Sequence, residues 1–348
     1  MSAPAGLPTA TADLVGDPGV LRTVPTLEFQ GYAASAVTGG CAVLPWRAHQ
    51  RAALALGLRC LPSCQTASPP KDAAGEPFTQ AVVRIGKGRA ATTADLAQAW
   101  AALAPAGRLL IVGTNDTGIV TWAKRLAEWT GAPGEVLVNR ARGRVVAFER
   151  TAARTAAMIP EPLSTVVPLP DGTGLEVAPG VFSADGLDGG TALLLQVLAE
   201  EPPTSTIVDV GCGAGHLGLA AARQFPASRV WLLDADYRAI QCATRNAAAL
   251  APGAPGAPGD NSRVQTCWWD EHDAWPAPQA DLALVNPPCH AGTASDVSAA
   301  HRLFAVTDAR RLLVVANRHL PYEHAARALG ALRVRADDGR FKVLEISR

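Results

Sequence analysis

Three segments place chemistry-bearing residues at the ends of apolar runs. Val208–Gly218 reads VDVGCGAGHLG. Here an apolar strand runs into glycines and then into a helix start. Glycines let the backbone turn tightly and let a ligand come close, and the free N–H groups of a helix N-terminus favour an anionic group. Asp234 ends the second apolar run, VWLLD. A carboxylate at the end of the second strand of such a fold is placed to accept both hydroxyls of a ribose. Asp236 is the second choice, and it better suits the N-cap of a helix from Tyr237. Asn286–His290 reads NPPCH directly after the strand DLALV. Two prolines cannot continue a sheet, so the chain leaves it at the carboxyl end, where open α/β sheets bind ligands. The Asn286 side-chain carbonyl and the Pro287 backbone carbonyl can together accept both hydrogens of an NH2 group. That aims the nitrogen lone pair at an electrophile and drains developing positive charge.

The glycine loop alone fits two ligands. Gly211, Gly213 and Gly215 after Asp209 form the pattern of an S-adenosylmethionine loop, while Gly213, Gly215 and Gly218 satisfy the dinucleotide fingerprint G-x-G-x-x-G. The Asn-Pro-Pro corner separates them, because a hydride-transfer enzyme has no use for an amine clamp.

These residues need a scaffold, and the second half supplies an alternation of strands and helices. Strands are predicted at Thr206–Val210, Val230–Asp234, Val264–Trp268, Asp281–Val285 and Arg311–Ala316. Helices are predicted at His216–Gln224, Tyr237–Leu250, Ser298–Thr307 and Pro321–Leu329. A closing hairpin, Leu332–Arg335 and Phe341–Ile346, makes the last strand antiparallel. Such alternation predicts a parallel sheet covered on both faces. The first half echoes the second. Arg108–Asp116 (RLLIVGTND) matches Arg311–His319 (RLLVVANRH), Gln80–Gly86 matches Ala280–Asn286, and Gly143–Arg150 matches Gly339–Ser347. Three segments in one order point to an internal duplication. The first copy lacks the machinery: Gly86-Lys87-Gly88 stands where the second has Asn286-Pro287-Pro288.

Composition agrees with two domains. The chain has 348 residues, 48% apolar and 18% charged, enough for sizeable cores and too apolar for wholesale disorder. No run is long enough to span a membrane and no secretory leader is evident, so a cytoplasmic protein is expected. Seven scattered cysteines read as reduced thiols rather than disulfides or a zinc site, and no metal is expected. The net charge is zero, but residues 1–150 carry 15 Lys/Arg against 10 Asp/Glu, and residues 151–348 carry 16 against 21. Such asymmetry can place an anionic partner on the first half. Residues 1–25 are expected to be loosely ordered, and the proline-rich residues 158–180 to form a linker. The run APGAPGAPG at 251–259 is expected to be a loop.

The residues quoted so far, with PGVFSADGLDGG at Pro179–Gly190, VVANRHLPYE at Val314–Glu323 and GRFKV at Gly339–Val343, carry a resemblance. The second half resembles class I S-adenosylmethionine-dependent methyltransferases. Over nearly the whole chain the sequence is similar to the ribosomal RNA guanine-N2 methyltransferases of the small-subunit type. The resemblance implies two tandem Rossmann-like α/β domains, each a seven-stranded mixed sheet with an antiparallel last strand. The N-terminal domain, 26–157, would be degenerate and the C-terminal one, 181–348, catalytic. It implies that Gly211, Gly213 and Gly215 wrap the methionine part of the cofactor, and that Asp209 orients that loop or meets the cofactor's amino group. Asp234 would take the ribose. Asp270 or Trp269 would lie beside the adenine, and Asp188 and Gly190 would approach the cofactor from upstream. Asn286 and Pro287 would hold the guanine amino group, with Pro288 completing the corner. The family has Phe where this chain has Cys289, and that aromatic stacks on the target base, worth roughly 1–3 kcal/mol. His290 matches the family, and it or one of Trp268, Trp269 and Trp275 would have to substitute.

The implied partner is ribosomal RNA or the small ribosomal subunit, met by a chain whose fused copies suit a monomer. Arg84, Lys87 and Arg89, with Arg140, Arg142 and Arg144, make the first copy a candidate RNA-positioning domain. Two alternatives remain at this point. One is methyl transfer to a protein glutamine or adenine amine; the other is a non-catalytic RNA-binding protein that keeps the cofactor pocket.

Overall fold

The computed structural model describes residues 13–63, 70–151, 159–250, 263–287 and 297–348. Its contacts divide the chain between Leu163 and Ser164 into two compact units.

The N-terminal unit holds β1 (Thr26–Phe29), β2 (Cys41–Val43), β3 (Cys60–Leu61), β4 (Phe78–Arg84), β5 (Leu103–Thr114), β6 (Glu135–Arg140) and β7 (Gly143–Glu149). Their order in the sheet is β3-β2-β1-β4-β5-β7-β6. The C-terminal unit opens with a hairpin, β8 (Thr165–Pro168) and β9 (Gly174–Val177). A second sheet follows, built from β10 (Thr206–Val210), β11 (Arg229–Asp234), β12 (Val264–Trp268), β13 (Ala280–Val285), β14 (Ala309–Asn317), β15 (Ala331–Asp337) and β16 (Phe341–Ser347). Its order is β12-β11-β10-β13-β14-β16-β15. Counted within each sheet, the two orders are the same. In both, the last strand runs antiparallel to its neighbours. The three echoed sequence segments fall on the fourth, fifth and seventh strands of each sheet, as a duplication requires.

Alternation of side chains explains the two-sided burial. Ile207, Leu282 and Leu284 join the core under the helices Gly189–Ala199 and His216–Gln224, while Val208, Val210, Ala283 and Val285 join the core on the opposite face. Apolar runs without polar alternation are what strands buried on both faces need. In the C-terminal sheet the strand order reverses between β10 and β13, so the crevice for a ligand opens at the carboxyl ends of these two strands.

Two expectations are corrected. Residues 1–25 are not loose as a whole: Leu14, Val15 and Val20 are buried against Val82, Leu110, Val112 and Val145, capping one face of the N-terminal sheet. Their apolar side chains outweigh the surrounding Pro and Gly. Nor do residues 158–180 form a linker throughout. Val167, Leu175 and Val177 of the β8–β9 hairpin are buried in the C-terminal unit. Asn246 fastens the hairpin, accepting from Glu176 N and donating to Glu176 O, both at 2.8 Å. The unit boundary falls within this segment, at Leu163–Ser164, and the prolines beyond it shape a hairpin. The loop expected at 251–259 lies outside the described residues.

Candidate active site

The glycine loop follows β10. Gly211, Gly213 and Gly215 all have left-handed backbone, with φ of 77°, 56° and 97°. Side chains rarely adopt that conformation, so the loop requires glycine at these three places. A Cβ on Gly213 would meet nothing within 4 Å, which leaves an open face for a ligand. The loop is tied to the neighbouring strand end by the N–H groups of Gly211 and Cys212, which donate to the Leu233 carbonyl at 2.8 and 2.9 Å.

Two buried carboxylates hold the loop. Asp209 Oδ2 accepts from Gly218 N at 2.8 Å, fixing the first turn of the helix to β10. Gly218 must be small there, since a Cβ would stand 2.2 Å from Leu232 Cδ2. Asp234 Oδ2 accepts from Gly213 N and Oδ1 from Asp236 N, both at 2.8 Å. Each Asp234 oxygen keeps a further lone pair for a hydroxyl. Burial pushes the Asp209 carboxyl up to about 7 and that of Asp234 up to about 6. Asp236 binds Arg238 through its backbone N–H and its guanidinium, so it caps the helix, as the sequence suggested. His216, opening the helix beside the loop, is buried and its pKa falls to about 4, so it is neutral.

A small open cleft lies beside the loop, lined by Gly211, Asp234, Trp269, Asp270, Glu271 and Leu303 among others. Asp234, Asp270 and Trp269 are therefore brought to one place with the loop. Trp269 N donates to Asp234 O at 2.9 Å, which ties the ends of β11 and β12 together. Glu271 and Leu303 were not singled out from the sequence. Glu271 lay inside an acidic run whose spacing is irregular, and Leu303 is one apolar helix residue among many.

Asn286 leaves β13 beside the end of β10, since Val210 pairs with Val285. Its side-chain amide donates to Thr191 Oγ1 at 2.9 Å and to Asp188 Oδ2 at 3.3 Å. Asp188 also caps the helix Gly189–Ala199, accepting from Thr191 N at 3.1 Å. The contacts described for Asp188 are thus to the Asn-Pro corner and the helix. A Cβ on Gly190 would lie 3.0 Å from Asp188 Oδ2 and 3.4 Å from Phe341, so Gly190 lets this helix close on the strand ends. The Thr191 contact with Asn286 carries one signal in the sequence, its position three residues after an N-capping Asp. Pro287 is buried. Pro288, Cys289 and His290 lie outside the described residues.

Of the stand-ins for that aromatic, the three tryptophans have partners of their own. The Trp269 ring is buried edge-to-face on Trp275, and Trp268 Nε1 donates to Ala235 O at 2.9 Å. In the N-terminal unit Lys87 and Arg89 are exposed. Arg84 is not: it is buried against Glu28 at 2.8 Å, with side-chain exposures of 5% and 0%. A buried guanidinium held by a buried carboxylate cannot reach RNA, so Arg84 leaves the candidate RNA surface.

Comparison with known proteins agrees with this geometry. Residues 173–345 match the family model "Methyltransferase small domain". The ribosomal RNA small subunit methyltransferase C of Pseudomonas entomophila is 33% identical over 282 residues, covering 78% of this chain and 80% of that protein. The ribosomal RNA large subunit methyltransferase G of Shewanella amazonensis is 30% identical, covering 76% and 68%. The fold matches that of the T. thermophilus 16S rRNA N2 G1207 methyltransferase, solved with AdoMet and guanosine. There the TM-score is 0.80 at 22% identity, over 99% of this chain and 93% of that one. Two sheets of one strand order, a cofactor-type glycine loop in the second and relatives of this kind along most of the length have one explanation: the chain belongs to the ribosomal RNA small subunit methyltransferase C family.

Proposed function

We propose that the C-terminal unit methylates the exocyclic N2 amine of a guanine in ribosomal RNA, with S-adenosylmethionine as methyl donor. The observation that carries the reading is the meeting, at adjacent ends of β10 and β13, of a glycine cradle and an Asn-Pro corner. The open face of Gly213 and the paired acceptors of Asp234 fit the cofactor. Gly211, Gly213 and Gly215 would hold its methionine end, Asp234 its ribose, and Trp269 and Asp270 its adenine side. When bound, S-adenosylmethionine supplies an electrophilic methyl group on a sulfonium.

The chain's own part is positioning. Asn286 Oδ1 and the Pro287 carbonyl accept the hydrogens of the amine and point its lone pair into the crevice. The same acceptors offset the positive charge that builds on nitrogen during direct in-line attack. A base must leave its stack to reach this corner, so single-stranded or flipped RNA is the expected substrate. The N-terminal unit, with Lys87 and Arg89 exposed, would hold flanking phosphates. We place the protein in the cytoplasm, acting as a monomer.

The relatives support small-subunit RNA first. The Shewanella relative, named for the large subunit, favours large-subunit RNA as a second reading. Calorimetric titration with S-adenosylhomocysteine and, separately, NADH tests the cofactor. Binding of the first alone, lost in Asp234→Ala, is expected. NADH binding in place of S-adenosylhomocysteine would overturn the reading.

A further inference from the structure

The geometry points to Asp188 and Thr191 as positioning residues that fix which way the Asn286 amide faces. This rests on the reading that Asn286 accepts the target amine.

An asparagine side chain carries one acceptor and one two-hydrogen donor on nearly identical arms. Only one orientation serves the proposed chemistry. With Oδ1 toward the substrate, the amide accepts from the amine. Turned over, it would present a donor to a donor. Something must choose, and the choice is written in the partners on the far side.

Asn286 Nδ2 lies 2.9 Å from Thr191 Oγ1 and 3.3 Å from Asp188 Oδ2. An ionised carboxylate only accepts. Turning the amide over would set Oδ1 against Asp188 Oδ2, oxygen facing oxygen, at about the same separation. The carboxylate therefore selects the donor arm, and the threonine hydroxyl takes the shorter bond. With Nδ2 turned to these two acceptors, Oδ1 is the arm left for the substrate.

The selecting groups are themselves fixed. Asp188 Oδ2 also accepts from Thr191 N at 3.1 Å, so Asp188, Thr191 and Asn286 close a small ring. Thr191 is buried, with 5% exposure. Gly189 and Gly190 bring this helix start against Phe341, at Cβ distances of 3.0 and 3.4 Å, and against Val315 of the strand next to β13. The helix N-terminus is thus packed onto the strand ends rather than hung beside them. Locking a side chain by a neighbouring shell is what holds a reacting group within the narrow tolerance of in-line transfer.

The test uses the full-length protein and three readouts: kcat and KM on ribosomal RNA, S-adenosylhomocysteine affinity by calorimetry, and the Asn286 side-chain NH2 resonance by NMR. Thr191→Val keeps the shape and removes the acceptor. It is expected to lower kcat roughly tenfold, as the loss of one hydrogen bond would. KM and S-adenosylhomocysteine affinity should stay within about twofold, which is within the scatter expected for a site it does not touch. The Asn286 NH2 signal should shift, and Thr191→Ser should restore both kcat and the signal. Asn286→Asp puts a carboxylate opposite Asp188 and is expected to be worse than Thr191→Val. An unchanged kcat or an unmoved NH2 signal in Thr191→Val would overturn the proposal. So would a loss of cofactor affinity in Asp188→Asn with kcat retained, which would make Asp188 a cofactor contact. An Asn286→Ala protein with full kcat would instead sink the underlying reading of the corner.

Discussion

Asp209 and Asp234 are buried acids on the two strand ends that carry the cofactor loop, and their raised pKa values have two consequences. A carboxyl whose pKa is higher in the folded than in the unfolded chain favours folding while protonated. For Asp209 that contribution is full below its ordinary 3.8 and is lost as pH rises through about 7. Asp209→Asn resembles the protonated acid at every pH and can still accept from Gly218 N. Its melting temperature should match the parent near pH 4 and exceed it by a few degrees at pH 8; a gap that does not grow with pH would contradict the burial argument. The second consequence concerns the ligand. S-adenosylmethionine is cationic, so its affinity should rise between pH 5.5 and 7.5 as these acids ionise, measured by calorimetry in matched ionic strength. At the proposed catalytic corner Asn286→Ala should lower kcat by about 10²–10³-fold, the scale of removing one preorganised hydrogen-bonding group. S-adenosylhomocysteine binding should persist in that variant. The placement of the two acids, the three loop glycines and Asn286 at neighbouring strand ends was legible in the sequence because each adjoins an apolar run. Thr191 was not, because its role comes from a helix start folding back on a strand 95 positions away.

At the scale of elements, the helix Gly189–Ala199 is the part on which the corner depends most. Its double glycine at the start is a steric requirement, and Phe341 is the surface it meets. Gly190→Ala would push a Cβ to 3.0 Å from Asp188 Oδ2 and 3.4 Å from Phe341. The expected outcome is reduced turnover with cofactor affinity retained, because the displaced group faces Asn286. Equal loss of both would place the helix start at the cofactor instead. The strands and helices of the second half were read from the sequence to within about two residues at most ends, since runs such as ADLALV are apolar on both faces. The β8–β9 hairpin was hidden by its prolines, whose turn-forming chemistry looks the same in a linker as in a tight hairpin. The N-terminal segment is hard to read for a similar reason: Leu14, Val15 and Val20 are spaced too irregularly to declare which face they cover.

For the molecule as a whole, the two sheets share one topology but not one purpose. In the N-terminal unit Glu28 accepts from Ser35 N at 2.9 Å, as Asp209 accepts from Gly218 N in the C-terminal unit. There the likeness ends. A Cβ on Gly31 would fall 1.9 Å from Arg84 Nε, so the Arg84 side chain lies on the turn that follows β1. The Glu28–Arg84 pair fills the place that the glycine loop leaves open in the other copy. Calorimetry should therefore find one S-adenosylhomocysteine site per chain. Arg84→Met should destabilise the N-terminal unit by about 3–5 kcal/mol in denaturant melts, because it strands a buried carboxylate. The duplication was visible in three echoed strands, whereas the filled pocket depends on a contact between β1 and β4 that no local pattern announces. The central claim is methyl transfer to a guanine N2 amine of ribosomal RNA. It is tested most directly by incubating the protein with methyl-labelled S-adenosylmethionine and ribosomal RNA, then digesting the RNA to nucleosides. Label in N2-methylguanosine is the predicted result; label in N6-methyladenosine, in protein, or in no product of either class would contradict it.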